Sequence, residues 1–430
     1  VVVGAGPCGG TLALLLARAG WAVTLVEAAA SGAPRPYRGE GLMPSGLAVL
    51  KAMGLWPLPA SVRHRPLRGW AVVLERRPFF QAAEPLAGDQ GCWLVDQESL
   101  LAHLRMELLR EKGGRVLEGQ AVRGLCTKGA RRRVTGVVLA DGREVAADLV
   151  VACDGRHSAL RRQAGLVLQG EAGQDSQRER VLWFRLAGAA VAPLERWLAG
   201  RFLTVVGDGV SFALFAEAAG DALRLGWVAE GGVAVPSDGA GWRECWAAAL
   251  PEEVAGLLQD LPVSAIDGPQ SFPVRVGWAP HWHVPGLLLL GDAAHPMSPV
   301  RAQGINMALR DALVAARQLG PLADRASGWM ATSVGSPLEG AGGEGTGAAM
   351  HAELDALLPG IARRRLPEIR RLQALQAREM GMGARLRQQG WLRRGLAATA
   401  PWSGVLARQR WIQQQHRLRQ GVPEALALSK

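Results

Sequence analysis

At 430 residues, 49% of them hydrophobic and 20% charged, the chain can build a large α/β domain with a partner domain, and its composition excludes wholesale disorder. No run approaches the roughly 18 apolar residues of a membrane-spanning helix. Cysteines at 8, 92, 126, 153 and 245, odd in number and without paired short spacing, speak against a zinc site or a disulfide framework. A net charge of +11, carried almost entirely by arginine, favours anionic partners only in a general way.

In chain order, Val1–Val3 reads as a buried strand, 4–10 as a glycine-rich turn, 11–19 as a helix closed by Gly20, and 21–27 as a second strand. This is the β-α-β opening of a dinucleotide-binding fold, whose parallel strands are short apolar runs because both faces are covered. Residues 41–54 resemble a second helix, with Pro44 near its start. Alternating segments between 68 and 93 predict strands, and 97–112 an amphipathic helix. From 115 to 151 the turns Lys128-Gly129 and Asp141-Gly142 separate β-rich runs, with the basic run Arg131–Arg133 expected at a solvated hairpin tip rather than against nucleic acid. Segments 181–186, 211–216, 222–229 and 271–276 suggest an inserted sheet-rich domain. Residues 286–290 form another buried strand and 305–319 a helix. The Gly-, Ser- and Ala-rich stretch 325–349 reads as a flexible loop, and the last 80 residues as arginine-rich helices bearing Trp391, Trp402 and Trp411.

Three motifs carry chemistry. Gly4-Ala5-Gly6-Pro7-Cys8-Gly9 fits G-x-G-x-x-G between strand and helix, where glycines let backbone approach a pyrophosphate and the helix N-terminus faces the anion. Glu27 ends the next strand, where a carboxylate accepts ribose hydroxyls and repels a 2′-phosphate, so FAD or NAD is favoured over NADP as the tightly held nucleotide. The second motif, 148–161, delivers Asp154 and Gly155 to the end of a buried strand; an ordinary Asp-Gly turn is the alternative. The third, 286–311, places Asp292 at a strand end and then a proline-containing loop before a helix. That helix would set about half a positive charge against an anionic ligand at its N-terminus, or else would merely pack on the sheet.

In this order the motifs closely resemble the FAD-binding motifs of the para-hydroxybenzoate hydroxylase family, over roughly residues 1–50, 95–165 and 284–320. The resemblance implies an α/β fold: a Rossmann-like FAD-binding domain (1–67, 95–164 and 285–324), an inserted sheet-rich substrate domain (68–94 and 165–284), a loop at 325–349 and a helical C-terminal region at 350–430. It implies that Gly4, Ala5, Gly6, Pro7, Gly9 and Glu27 hold the ADP half of FAD, with Arg38 near the pyrophosphate and Val122 meeting adenine through its backbone. Gln97 stands where many relatives have arginine. Asp154 and Gly155 would serve pyrophosphate recognition, Asp292 a ribityl hydroxyl, and Ala302, Gly304, Ile305 and Asn306 the flavin ring. Pro299 would line its reactive face, with Gln303 beside it as the second candidate catalytic residue. Relatives commonly have Gly-Gln-Gly where this chain has Ala302-Gln303-Gly304, and an alanine forced to positive φ costs about 1 kcal/mol or more.

By the same likeness the activity would be that of an FAD-dependent monooxygenase, and the unpaired cysteines fit a reducing cytoplasm. NAD(P)H would visit transiently, and a flavin C4a-hydroperoxide would carry oxygen from O₂ to a small aromatic or isoprenoid-quinone-like substrate. A reductase of the geranylgeranyl type shares the motifs and stays open. So does a non-catalytic flavoprotein touching an anionic membrane weakly through its basic C-terminal helices, although tryptophans packed on the body are the expectation there. His295 is expected to make a structural hydrogen bond, and His281, Trp282 and His283 to lie in a surface loop. Trp183, Phe184, Phe212 and Phe215 are candidates to wall the substrate site or to be core.

Overall fold

A computed structural model describes residues 1–33, 39–86, 89–130, 132–170, 180–230, 234–323 and 343–421. Arg38, the expected pyrophosphate neighbour, lies outside the described residues, as does Arg131.

Short, doubly covered apolar runs dictate a parallel sheet. Its order is His283–Val284, Leu287–Leu289, Val150–Ala152, Val2–Val3, Val23–Val26 and Gly114–Leu117. All pairings are parallel except the small hairpin of His283–Val284 with Leu287–Leu289. The three motif-bearing strands, Val2–Val3, Val150–Ala152 and Leu287–Leu289, are direct neighbours, so their following turns emerge side by side at one sheet end, where open α/β sheets bind ligands. The helix Pro7–Arg18 begins at Pro7 rather than at Thr11, because proline with its fixed φ and missing N–H suits a first helical turn. For the same reason the second helix is Pro44–Ala52, and Gly41–Leu42 is a strand paired with Trp93–Val95.

The second sheet has seven strands in the order Ile266–Pro273, Arg180–Ala187, Ala222–Ala229, Ser211–Ala216, Arg201–Val206, Gly69–Leu74 and Arg77–Ala83. Segments 68–94 and 165–284 thus meet through the one parallel pairing in this sheet, Gly69–Leu74 with Arg201–Val206. The strand Arg201–Val206 and the helices Gly239–Ala248 and Glu252–Gln259 were not anticipated. The helices cover one face of the sheet, packing Trp242 and Trp246 of the first against Phe184, and the other face, with Trp70 and Phe215, turns toward Met43 and Ala302.

A helix spans Gly343–Gln388, so it starts inside the stretch expected to be a loop; 324–342 lie outside the described residues. Helices Gly390–Ala398 and Ala400–Arg419 follow. Three further expectations are corrected. Trp282 is buried and stacks on His295 (centroids 5.1 Å apart), and His283 is in a strand, so this is not a surface loop. Arg133 does not point from a hairpin tip but reaches Asp355 of the long helix at 3.2 Å. Trp391 and Trp402 are 72% and 81% exposed rather than packed, whereas Trp411 does pack, against Trp70 and Phe80.

Candidate active site

The three turns close around one continuous cavity of about 720 Å³, a size proper to ligand sites. Gly4 takes φ +99°, and a Cβ there would lie 2.4 Å from the Cys153 carbonyl oxygen. At Gly9 a Cβ would lie 1.9 Å from the Gly4 carbonyl oxygen, so helix and turn touch backbone to backbone. Around Gly6 and Gly155 (φ +81°), by contrast, nothing lies within 4 Å of a Cβ, leaving bare backbone facing the cavity that both residues line. Glu27 accepts the Ala5 N–H at 2.8 Å and the Ala29 N–H at 3.0 Å, which ties the glycine-rich turn to the second strand.

Asp154 caps the next turn through Oδ2, which accepts the Leu160 N–H at 3.2 Å. Its Oδ1 is buried and accepts no hydrogen bond among the described residues. Asp292 stands opposite, 3.6 Å from the Arg156 guanidinium. A buried carboxylate oxygen free to accept a hydroxyl, with the N–H donors of open glycine backbone and a helix N-terminus on the same cavity, makes a set of partners that suits a dinucleotide.

The third turn ends in two consecutive residues at positive φ, Arg301 (+58°) and Ala302 (+48°), immediately before the helix Gln303–Leu319. The departure noted from the sequence is thus located: Ala302 occupies left-handed space that favours glycine. Arg301 is clamped by Glu379, with Nε to Oε1 at 2.7 Å, and its guanidinium lies over Trp70 and Trp411 at 5.1 and 5.3 Å.

Of the residues singled out from the sequence, Gly4, Gly6, Pro7, Glu27, Gln97, Val122, Asp154, Gly155, Asp292, Pro299, Ala302, Gly304 and Ile305 line the cavity. Ala5 and Gly9 support it from behind. Gln303 and Asn306 are corrected: both are buried away from it. Gln303 donates to the Arg301 carbonyl at 3.2 Å, and Asn306 donates to the Gly41 and Ala302 carbonyls and accepts the Met43 N–H. Their side chains fasten the turn and leave the cavity wall to Ala302, Gly304 and Ile305.

His295 hydrogen-bonds Asp311 at 2.5 Å in the core, as a structural histidine. Asp311 also accepts Arg365 (2.7 Å) and the Gly291 N–H (3.1 Å). Burial alone would raise its pKa, but the facing His295 and Arg365 outweigh that and hold it below the usual carboxylate value.

Beyond the turns the cavity widens into a chamber walled by Trp70, Trp183, Phe202 and Phe215. Trp183 and Phe215 are on this wall while Phe184 and Phe212 are core behind the sheet, because neighbouring positions, and positions three apart, fall on opposite faces of a strand. The sequence reading missed Trp70, Phe202, Arg301 and Glu40. Strand alternation carried a signal for the first two; nothing local marked Arg301, whose partners come from residues 70, 379 and 411.

The family model described as "FAD binding domain" matches residues 1–332. The chain is an FAD-dependent monooxygenase. This monooxygenase is 36% identical over 330 residues to 6-methylpretetramide 4-monooxygenase of Streptomyces rimosus, covering 73% of each chain. It is 29% identical over 359 residues to a menaquinone reductase of Mycolicibacterium smegmatis, covering 76% of this chain and 78% of that one. Among solved structures, PqsL, a probable FAD-dependent monooxygenase from Pseudomonas aeruginosa, shares the fold of the monooxygenase with a TM-score of 0.63 at 21% identity, over 93% of this chain and 98% of that one. No helix among the described residues is long and apolar enough to cross a membrane.

Proposed function

We propose that the protein uses NAD(P)H and O₂ to hydroxylate a small aromatic or quinone-like substrate held in the aromatic chamber. The observation that carries this reading is the single cavity running from the glycine-rich turn, past Pro299 and Ala302, into that chamber. The chemistry supplied by bound FAD is the acceptance of hydride and the activation of O₂. The chain's part is binding, orientation and exclusion of water. Backbone of Gly4, Gly6 and Pro7 would take the pyrophosphate and Glu27 the ribose, while Val122 and Gln97 would flank the adenine and the linking chain. Asp154 and Gly155 would serve the pyrophosphate side and Asp292 a ribityl hydroxyl. The N–H groups at 303–305 would put positive potential against the flavin ring, with Pro299 at its reactive face.

The name of the Streptomyces rimosus relative supports oxygen insertion, and that of the mycobacterial relative supports the runner-up, a quinone reductase on the same site. The two differ in oxygen demand. Purified protein should show a flavin spectrum, and a compound that accelerates NAD(P)H oxidation should be consumed with equimolar O₂ and gain one oxygen atom. Equal NAD(P)H oxidation under anaerobic conditions, with a product two hydrogens heavier, would establish the reductase instead.

We also propose a weak peripheral contact with anionic lipid. Trp391, Trp402, Val405 and Leu406 are exposed on helices that carry Arg394, Arg408 and Arg410.

A further inference from the structure

The chamber is walled by apolar side chains apart from Glu40 and Arg301, and Arg301 is already paired with Glu379. Glu40 is 6% exposed and lines the cavity, between Gly39 and Gly41 in the chain, as do Met43, Trp70 and Phe215. Its backbone carbonyl is fixed by the Val95 N–H at 2.9 Å, and its Oε2 accepts the Ala218 N–H at 2.9 Å. Oε1 accepts no hydrogen bond among the described residues, and the residue is on the cavity lining. A carboxyl so placed is costly unless something arriving in the cavity needs it.

We propose that Glu40 is a catalytic residue that binds the hydroxyl group of a flat, uncharged phenol in the chamber and accepts its proton at Oε1. This rests on the hydroxylase reading above and names its substrate class. The O–H bond of the phenol breaks, its proton goes to Oε1, and the electron pair stays on the phenol oxygen, where it enriches the ring for attack. The same proton returns to the oxygen when the product leaves, so the step needs no external oxidant or reductant.

The surroundings fit a proton acceptor of moderate strength. Burial pushes the Glu40 carboxyl up to about 7; the Ala218 N–H and Arg224 oppose this, while Glu217 and Asp96 add to it. The other charged groups near the chamber are engaged. Glu217 is paired with Arg185 and Arg224, and Arg301 is held by Glu379 and two tryptophans. The Cys92 thiol is pushed up, chiefly by burial, and stays neutral. With two acids near and its arginines occupied, the chamber disfavours a carboxylate-bearing substrate. The chain's single tyrosine, Tyr37, lies outside the described residues, so no described phenol group shares the task.

The test is binding to the FAD-loaded protein, measured by calorimetry between pH 5.5 and 8.5 with 2-naphthol and with naphthalene, which lacks the hydroxyl. Over this range the naphthol stays protonated. Its affinity for the wild type should rise about tenfold as Glu40 ionises, as expected for a hydrogen bond to a charged acceptor. Naphthalene should show no slope. In Glu40→Gln, checked for FAD content, the naphthol slope should vanish, and in Glu40→Asp it should persist. An unchanged slope in Glu40→Gln, an equal slope for naphthalene, loss of the slope in Glu40→Asp, or failure of the wild type to bind 2-naphthol would each overturn the assignment. No NAD(P)H or O₂ enters these measurements, so the two failures are distinguishable: a failed turnover assay removes the reaction and with it the catalytic role of Glu40 but leaves the contact between Glu40 and a phenol measurable, whereas a missing naphthol slope removes Glu40 and leaves the reaction standing.

Discussion

Ala302 shows how a single methyl group can shape a cofactor loop. At φ +48° it holds a conformation that costs an L-residue about 1 kcal/mol or more over glycine. Its Cβ also lies 2.8 Å from where a Cβ on Gly41 would be. Gly41→Ala should therefore destabilise the protein and lower its FAD content. Ala302→Gly alone should raise stability by about 0.5–1 kcal/mol, and the double variant should recover most of the loss; urea melts of the four proteins measure this coupling. If the two substitutions prove additive, the methyl contact is not what excludes a side chain at 41. Glu40 gives a second residue-scale prediction. Its carboxyl ionises near 4.5 in the unfolded chain and about 7 in the fold, so the neutral form is the one the fold favours. Below pH 4.5 both states hold the proton and nothing is lost. Between 4.5 and 7 a destabilisation grows, and above 7 it is complete at about 3 kcal/mol. Glu40→Gln should accordingly match the wild type in thermal midpoint near pH 4.5 and exceed it at pH 8; a constant difference across that range would refute the raised ionisation.

At the scale of elements, the long C-terminal helix is joined to the nucleotide-binding domain by charge buried in apolar surroundings. Arg365 bonds Asp311 and Glu368, and Arg310 meets Glu368 at 2.8 Å. Asp311 in turn holds the N–H of Gly291, next to Asp292. The helix therefore braces the turn that carries a proposed ribityl ligand. Arg365→Met would leave two buried carboxylates short of a partner, a loss of about 3–5 kcal/mol, and FAD should dissociate more readily. Fluorescence of released flavin on dilution reads this, and unaltered retention would show that the brace is not transmitted to the turn. None of this was legible in the sequence. Strand, turn and helix around each glycine motif were, because their signals lie within a few residues of one another. A salt-bridge cluster joining residues 295, 310, 311, 365 and 368 has no local pattern, and the expected loop at 325–349 obscured where its helix starts. The misplacement of Gln303 and Asn306 has a similar cause: motif order says which residues surround the ring, but only packing says that these amide side chains turn inward to the backbone.

Over the whole molecule, two sheets share one cavity: the turns of the parallel sheet line it with glycine backbone, the seven-stranded sheet lines it with aromatic rings, and Glu40, just before the strand Gly41–Leu42, adds one acid to the wall. The first contribution was readable because close approach to a phosphate demands glycine. The second was readable only as alternation, since aromatic residues on strands look alike whether they wall a chamber or fill a core. The outer surface poses a related question. Trp391 and Trp402 stand in water on arginine-bearing helices of a chain with net charge +11, and burying indole rings at a lipid interface would recover apolar area while the arginines meet anionic headgroups. The protein should thus sediment with phosphatidylglycerol vesicles at low salt and much less with phosphatidylcholine vesicles. Raising ionic strength should weaken the arginine share, because screening acts on exposed charges. The double variant Trp391→Ala, Trp402→Ala should lose most of the remainder without a change in FAD content, since neither ring touches the cavity. Sedimentation that ignores both salt and the tryptophans, or that is no greater than for a neutral control protein, would remove lipid as the partner of this face.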